Sequence, residues 1–169
     1  MHSHLLTKSL IFVLSLLALG VSNITQSKKA GDKEKQELTT QKPSVRFINR
    51  ARAGYSHVVE VRGGRTLYIA GQVALDADDK LVGAADFRAQ IKQVFANLDA
   101  RLREAGASFK DVVKLNYYIT DASDLQALRE ARDSYVNKEA PPASTLVVVK
   151  QLARAEFLCE VEAIAVVND

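Results

Sequence analysis

The stretch PPASTLVVVKQLARAEFLCEVEAIA, residues 141–165, decides how the rest of the chain is read. Two successive prolines end a helix and leave the chain extended as it enters the next segment. TLVVVKQL (145–152) then reads as one β-strand and FLCEVEAIAVV (157–167) as the next. LVVV is apolar on both faces of its strand, and so is YIAG (68–71) earlier in the chain. Strands of this kind need cover on both sides of their sheet.

Upstream, VRFIN (45–49) is a short strand candidate. HVVEV (57–61) and TLYIAG (66–71) are two more, and Gly63-Gly64 between them suits a tight hairpin turn. DADDKLVG (76–83) reads as an acidic loop. Asp86 is then a plausible cap for a helix. Its apolar stripe is Phe87, Ile91, Val94, Phe95, Leu98 and Leu102, spaced by three and four, and Gly106 stops it. VVKLNYYIT (112–120) is a strand in which Tyr117 and Tyr118 point to opposite faces. Asp121 or Ser123 caps a second helix with the stripe Leu125, Leu128, Arg132 and Tyr135, which runs on to Pro141-Pro142. The order ββ(β)αβαββ implies an α+β domain, a mixed sheet with two helices packed on one face. The other face is left to be covered, and self-association, sheet against sheet, is the simplest way.

The chain has 169 residues, a formal charge of +3 and one cysteine, Cys159. It is long enough for a core without metal or disulfide. Six lysines and three acids fall in residues 1–44, leaving seventeen basic and seventeen acidic residues from Val45 onward. The folded part is therefore neutral, which argues against nucleic acid as a partner. Cys159 reads as a small buried residue rather than a reactive thiol. No metal site or cofactor fingerprint is visible.

Residues 1–22 place Lys8 before an apolar run from Leu10 to Leu19, with Ala18 and Gly20 near its end. The run is too short to cross a bilayer and reads as an export signal, which predicts a periplasmic or secreted protein with no membrane attachment after its removal. The alternative is a membrane-surface helix or an uncleaved anchor, and a cytoplasmic protein if the leader is no signal. Residues 23–44 are polar and read as a flexible linker to a domain spanning 45–169.

IAGQVALD (69–76), LREAG (102–106), DVVKLNYYITD (111–121), PPAST (141–145) and EVEAIA (160–165) together resemble the Rid family, the reactive intermediate deaminases, also called the YjgF or L-PSP endoribonuclease family. The resemblance covers residues 50 to 167. It implies a chorismate-mutase-like fold assembling as a trimeric barrel, with clefts between subunits. It also implies hydrolysis of reactive enamines and imines to ketoacids and ammonia, without a cofactor.

The family's site residues carry over position by position. In deaminating members an arginine after the Pro-Ala pair holds the substrate carboxylate; here Ser144 stands there. The acidic residue that positions water corresponds to Glu160, the expected catalytic base. The family's glycine matches Gly71, whose backbone would approach the ligand. Tyr55 matches an aromatic position, and an asparagine of the second helix falls at Arg129. Tyr55, Gly71, Arg129 and Ser144 are thus the expected ligand-binding residues.

The residues themselves leave alternatives. Ser144 either orients a polar ligand or forms a turn. Glu160 and Glu162 share one face of their strand, with Cys159, Val161 and Ala163 on the other. Such a pair is functional or paired, and for Glu162 an ion pair is the expected reading. Arg129 is either a solvated surface residue or, like Arg132, a replacement for the missing clamp. Tyr55 packs on a ligand or closes a rim. Three functions are compatible with these residues: an imine or enamine hydrolase of altered specificity, a non-catalytic trimeric module that binds a metabolite or protein, and an endoribonuclease. The last is disfavoured by the neutral domain and by His57 being the only histidine beyond the leader.

Overall fold

The computed structural model describes residues 42–51 and 53–168; the expected leader and nearly all of the linker lie outside them. The elements are β1 (Ser44–Ala51), β2 (Tyr55–Arg62), β3 (Arg65–Gln72), α1 (Phe87–Glu104), β4 (Val112–Ile119), α2 (Leu125–Arg132), β5 (Ala143–Val148) and β6 (Cys159–Val167). They form one mixed sheet in the order β1-β2-β5-β4-β6-β3. β4 runs parallel to β5 and antiparallel to β6. This is the α+β arrangement the sequence implies.

α1 forms as its pattern predicts. The Asp86 carboxylate accepts from the Ala89 amide at 3.1 Å, satisfying one of the free donors of the first turn. Every residue of the apolar stripe is buried. The helix stops where Gly106 takes φ +74° and the Ala107 amide reaches back to the Leu102 carbonyl at 2.8 Å. The stripe packs on the alternate residues Cys159, Val161, Ala163 and Ala165 of β6 and on Leu115, Tyr117 and Ile119 of β4.

Three expectations are corrected. First, Gly63-Gly64 does not close a hairpin. β2 pairs with β1 along its length, from Ser44↔Arg62 to Ala51↔Tyr55, and meets β5 only at Ser56↔Ala143. β3 goes to the opposite edge and pairs with β6. β1 takes one edge of β2, and β3 instead sets Leu67 and Ile69 against the core.

Second, the second helix ends at Arg132 rather than running to the prolines. Past it the Ser134 and Tyr135 amides close one tighter turn on the Ala131 and Arg132 carbonyls, which seats Tyr135 against Phe95, ring centroids 5.1 Å apart, and against Phe109 at 4.9 Å.

Third, β5 ends at Val148, not Leu152. The segment after it is held by a buried glutamine that no sequence pattern singles out. Gln90 donates to the carbonyls of Gly83 and Glu156 and accepts from the Leu158 amide. Satisfying these backbone groups by a side chain lets the loop stay irregular while it lies against the core.

Candidate functional site

Side-chain alternation along β4, β5 and β6 sorts the expected site residues onto two faces. Tyr118↔Glu160, Asn116↔Glu162 and Asn116↔Thr145 are opposite pairs and share the face away from the helices. Leu115↔Ser144 and Tyr117↔Leu146 share the helix face. Ser144 and Glu160 therefore lie on opposite sides of the sheet.

On the open face, Glu160 sits against Gly71. A β-bulge between Ile69 and Gln72 displaces β3 relative to β6 here. A Cβ built on Gly71 would lie 1.7 Å from Glu160 Oε1 and 2.6 Å from its carboxyl carbon. Gly71 is not in the left-handed region, so the glycine is required for space rather than for its φ. The space a side chain at this position would take holds the Glu160 carboxylate.

Glu160 is half-buried and has no hydrogen-bond or ion-pair partner among the described residues. Burial, and then the charge of Glu162, push its carboxyl above the ordinary value of 4.5. Among the described residues Glu162 has neutral hydrogen-bond donors and no ion pair. It accepts from Asn116 Nδ2 at 2.6 Å and from the Tyr118 hydroxyl at 3.2 Å. The two carboxylates thus have different surroundings: one is held by neutral donors, the other is left with its lone pairs open.

On the helix face, Tyr55, Arg129 and Ser144 come together. With Tyr117, Leu128 and Leu146 they line a cleft of ≈ 280 Å³ between α2 and the starts of β2 and β5. Ser56, beside Tyr55, fixes the entrance: its buried hydroxyl donates to the Pro141 carbonyl at 2.7 Å, and its amide to the Pro142 carbonyl at 3.0 Å. The prolines thus present carbonyls to β2 while they aim Ser144 at the cleft.

Arg132 closes one side of this cleft. Its Nη1 donates to the Ala53 carbonyl at 3.0 Å, and Nε and Nη2 donate to Asp133 at 3.0 and 2.6 Å. The guanidinium packs on Gly54, where a Cβ would come within 2.6 Å of Nη2. Arg132, the one polar member of the second helix's stripe, stands at the boundary of the cleft. The pattern does not single out Tyr117 as a site residue; the one signal for it is the pair of tyrosines, of which one has to be core.

Cys159 is fully buried, and burial pushes its thiol up to about 12. The thiol is structural. Among the described residues no cluster of His, Cys, Asp or Glu has the spacing of a metal site.

Known proteins share this architecture. The sequence model of the endoribonuclease L-PSP family matches residues 47–167. A RutC family protein of Pyrococcus abyssi is 37% identical over 66% of this chain and 84% of its own length. The 2-iminobutanoate/2-iminopropanoate deaminase of Mus musculus is 35% identical over 66% of this chain and 80% of its own. The crystal structure of the Rid protein YyfB from Yersinia pestis, described as of unknown function, superposes with a TM-score of 0.64 at 37% identity, covering 75% of this chain and all of that one. The motifs, the sheet with its two helices and these likenesses agree, and the chain belongs to the Rid family, also called YjgF or endoribonuclease L-PSP.

Proposed function

We propose that the protein is a small-molecule hydrolase of the imine and enamine deaminase type, with a specificity altered by Ser144, acting at clefts between the subunits of a homotrimer. The observation that carries this reading is Glu160: a half-buried carboxylate with raised proton affinity and, among the described residues, no partner. A general base needs that combination of basicity and open lone pairs. Glu160 takes a proton from water as the oxygen adds to the C=N carbon. That proton passes to nitrogen to give a carbinolamine; Glu160 then moves the carbinolamine hydroxyl proton to the same nitrogen, the C–N bond breaks, and a carbonyl compound and ammonia leave. An enamine enters the sequence after tautomerising to its imine.

Ser144 and Glu160 lie on opposite faces within one protomer, so a shared substrate needs a second copy to bring a cleft to a carboxylate. The relatives' deaminase activity supports the reaction class. Ser144 in place of a cation removes a bidentate hold on the smallest amino-acid-derived enamines. Ammonia release from enzymatically generated 2-aminoacrylate tests this: slow turnover by the native protein and a gain in Ser144→Arg are expected. Fast native turnover overturns the altered specificity.

The separation of Ser144 from Glu160 also favours a second reading, a trimeric module that binds a metabolite or protein without chemistry. A Glu160→Ala variant with undiminished biological effect would establish it. Endoribonuclease action has less support: the domain is neutral, and His57, the only histidine among the described residues, is exposed on β2.

A further inference from the structure

The neutrality of the folded part is a balance of two opposed regions. Residues 45–65 hold five arginines and one acid, a net charge of +4. Residues 66–169 hold twelve basic and sixteen acidic residues, a net charge of −4. The positive region is β1, β2 and the turn into β3, and β1 and β2 form one antiparallel ribbon. β2 meets β5 only at Ser56, so from Val58 to Arg62 the ribbon has no third strand beside it.

One face of this ribbon is basic around an apolar centre. Arg46 lies opposite Glu60 and Ile48 opposite Val58, and alternation puts these four and Arg62 on the same side. Arg46 and Arg62 both bond the Glu60 carboxylate, at 2.6 and 2.7 Å, with their side chains 66% and 77% exposed. One carboxylate thus holds two guanidiniums side by side and leaves a net positive charge. Val58, 51% exposed, supplies the apolar centre.

The sequence that leads into β1 has the same character. Residues 23–44 hold five lysines and three acids, and before them stands the apolar run from Leu10 to Leu19. An apolar segment too short to span a bilayer is a weak membrane signal, and so is a basic surface. Stable attachment takes two such signals together.

We propose that this face of the β1–β2 ribbon docks on the anionic headgroups of a phospholipid bilayer. A flat anionic surface touches the ribbon and leaves the acidic remainder of the domain in water, so the charge separation also orients the protein. Each basic residue close to such a surface contributes about fivefold in binding, and salt screens the attraction. A nucleic acid fits this face less well. Arg46, Ile48, Val58, Glu60 and Arg62 include no aromatic side chain for a base to stack on, and a polymer running past the ribbon meets the sixteen acids beyond it.

The test is co-sedimentation of the full-length protein with vesicles of phosphatidylcholine alone and of phosphatidylcholine mixed with phosphatidylglycerol. The leader is present in every variant, so differences between variants report the ribbon. The anionic vesicles are expected to bind at least about tenfold more tightly, and high salt should remove that advantage. Arg46→Gln combined with Arg62→Gln should weaken binding to the anionic vesicles by about tenfold or more. Arg88→Gln combined with Arg103→Gln removes the same formal charge from the helices, where the native residues pair with Glu130 and Asp99. That control should bind as the native protein does, within about twofold. All four arginines are exposed, so circular dichroism and melting temperature should stay close to native in both variants. Equal binding to the two kinds of vesicle, or equal losses in the two double variants, overturns the proposal. So does tighter binding of a single-stranded RNA oligonucleotide than of anionic vesicles with the same dependence on Arg46 and Arg62, which would assign the ribbon to nucleic acid.

Discussion

Gly71 and Glu160 occupy one volume: the space a side chain at Gly71 would fill holds the Glu160 carboxylate, with Oε1 1.7 Å from the virtual Cβ. The pairing crosses from β3 to β6 at a bulge, where the strands are locally out of step. Gly71→Ala therefore cannot keep the carboxylate where it is. Either Glu160 turns away or β3 separates from β6. A displacement of about 1 Å at a reacting group costs on the order of a hundredfold in rate. We expect Gly71→Ala to lower ammonia release by about that factor on whichever imine the protein accepts, with a modest fall in melting temperature. An unchanged rate would show that the position of this carboxylate is irrelevant to turnover.

Glu160→Gln separates charge from shape. Removing the base should cost about 10² to 10⁴ in rate while leaving the fold intact. Its effect on stability has a defined sign. The folded-state pKa of Glu160 is raised, so ionising it opposes folding. The penalty is absent below the unfolded value, grows as pH rises through the raised one, and is complete above it. Glu160→Gln should thus be more stable than the native protein at neutral pH, and the difference should close as pH falls below the ordinary 4.5. Urea titrations at several pH values read this directly; a variant less stable at pH 7 would contradict the raised pKa.

Glu162 contributes the second cause of that shift, through like charge. Glu162→Gln should move the acid limb of the pH–rate profile to lower pH, because Glu160 then ionises more easily. Asn116 and Tyr118 can still donate to the glutamine oxygen that replaces the carboxylate, so the local packing survives. A profile that stays in place would mean that the titrating group is not Glu160.

Local periodicity made α1 legible: its cap, six-residue stripe and glycine stop all depend on residues within one turn of each other. The same holds for the shared face of Glu160 and Glu162, which comes from a period of two. The end of α2 was not legible from its own pattern, which continues to Tyr135, a residue that packs on Phe95 and Phe109, both distant in sequence. Nor was the failed hairpin at Gly63-Gly64, since the choice of partner for β2 was a competition between β1 and β3. For the site, motif matching named Tyr55, Gly71, Arg129, Ser144 and Glu160 as one set, whereas the structure gathers Tyr55, Arg129 and Ser144 in one cleft and Gly71 with Glu160 elsewhere. Their division between two faces required the registers of β4 with β5 and β6. Arg129 and Arg132 looked interchangeable on α2; only the carbonyl of Ala53 and the carboxylate of Asp133 distinguish them.

Cys159 lies in the strand that carries Glu160 and faces the opposite way, into the core. With burial holding the thiol up to about 12, almost no thiolate is present at neutral pH. The native protein should resist a disulfide reagent at pH 8, with labelling that tracks global unfolding as urea is added. Prompt labelling in buffer would indicate that β6 opens locally, and with it the setting of Glu160.

Gln90 connects the helix to the start of that same strand. Its amide group bonds to two carbonyls and one backbone amide, at 3.1, 2.8 and 2.8 Å. Gln90→Leu keeps the approximate volume and removes all three bonds. It strands the Leu158 amide and the Glu156 and Gly83 carbonyls wherever water cannot replace the lost partner, at about 1–3 kcal/mol for each group left buried. Gln90→Glu, in contrast, keeps the acceptor for Leu158 but turns a donor into a charge facing two carbonyls. It should be the worse of the two at neutral pH and recover on acidification, when the carboxyl regains a proton to donate. Thermal melts of both variants between pH 5 and pH 8 distinguish this from a simple packing role, in which the leucine variant would be the more stable of the two at every pH by a constant margin.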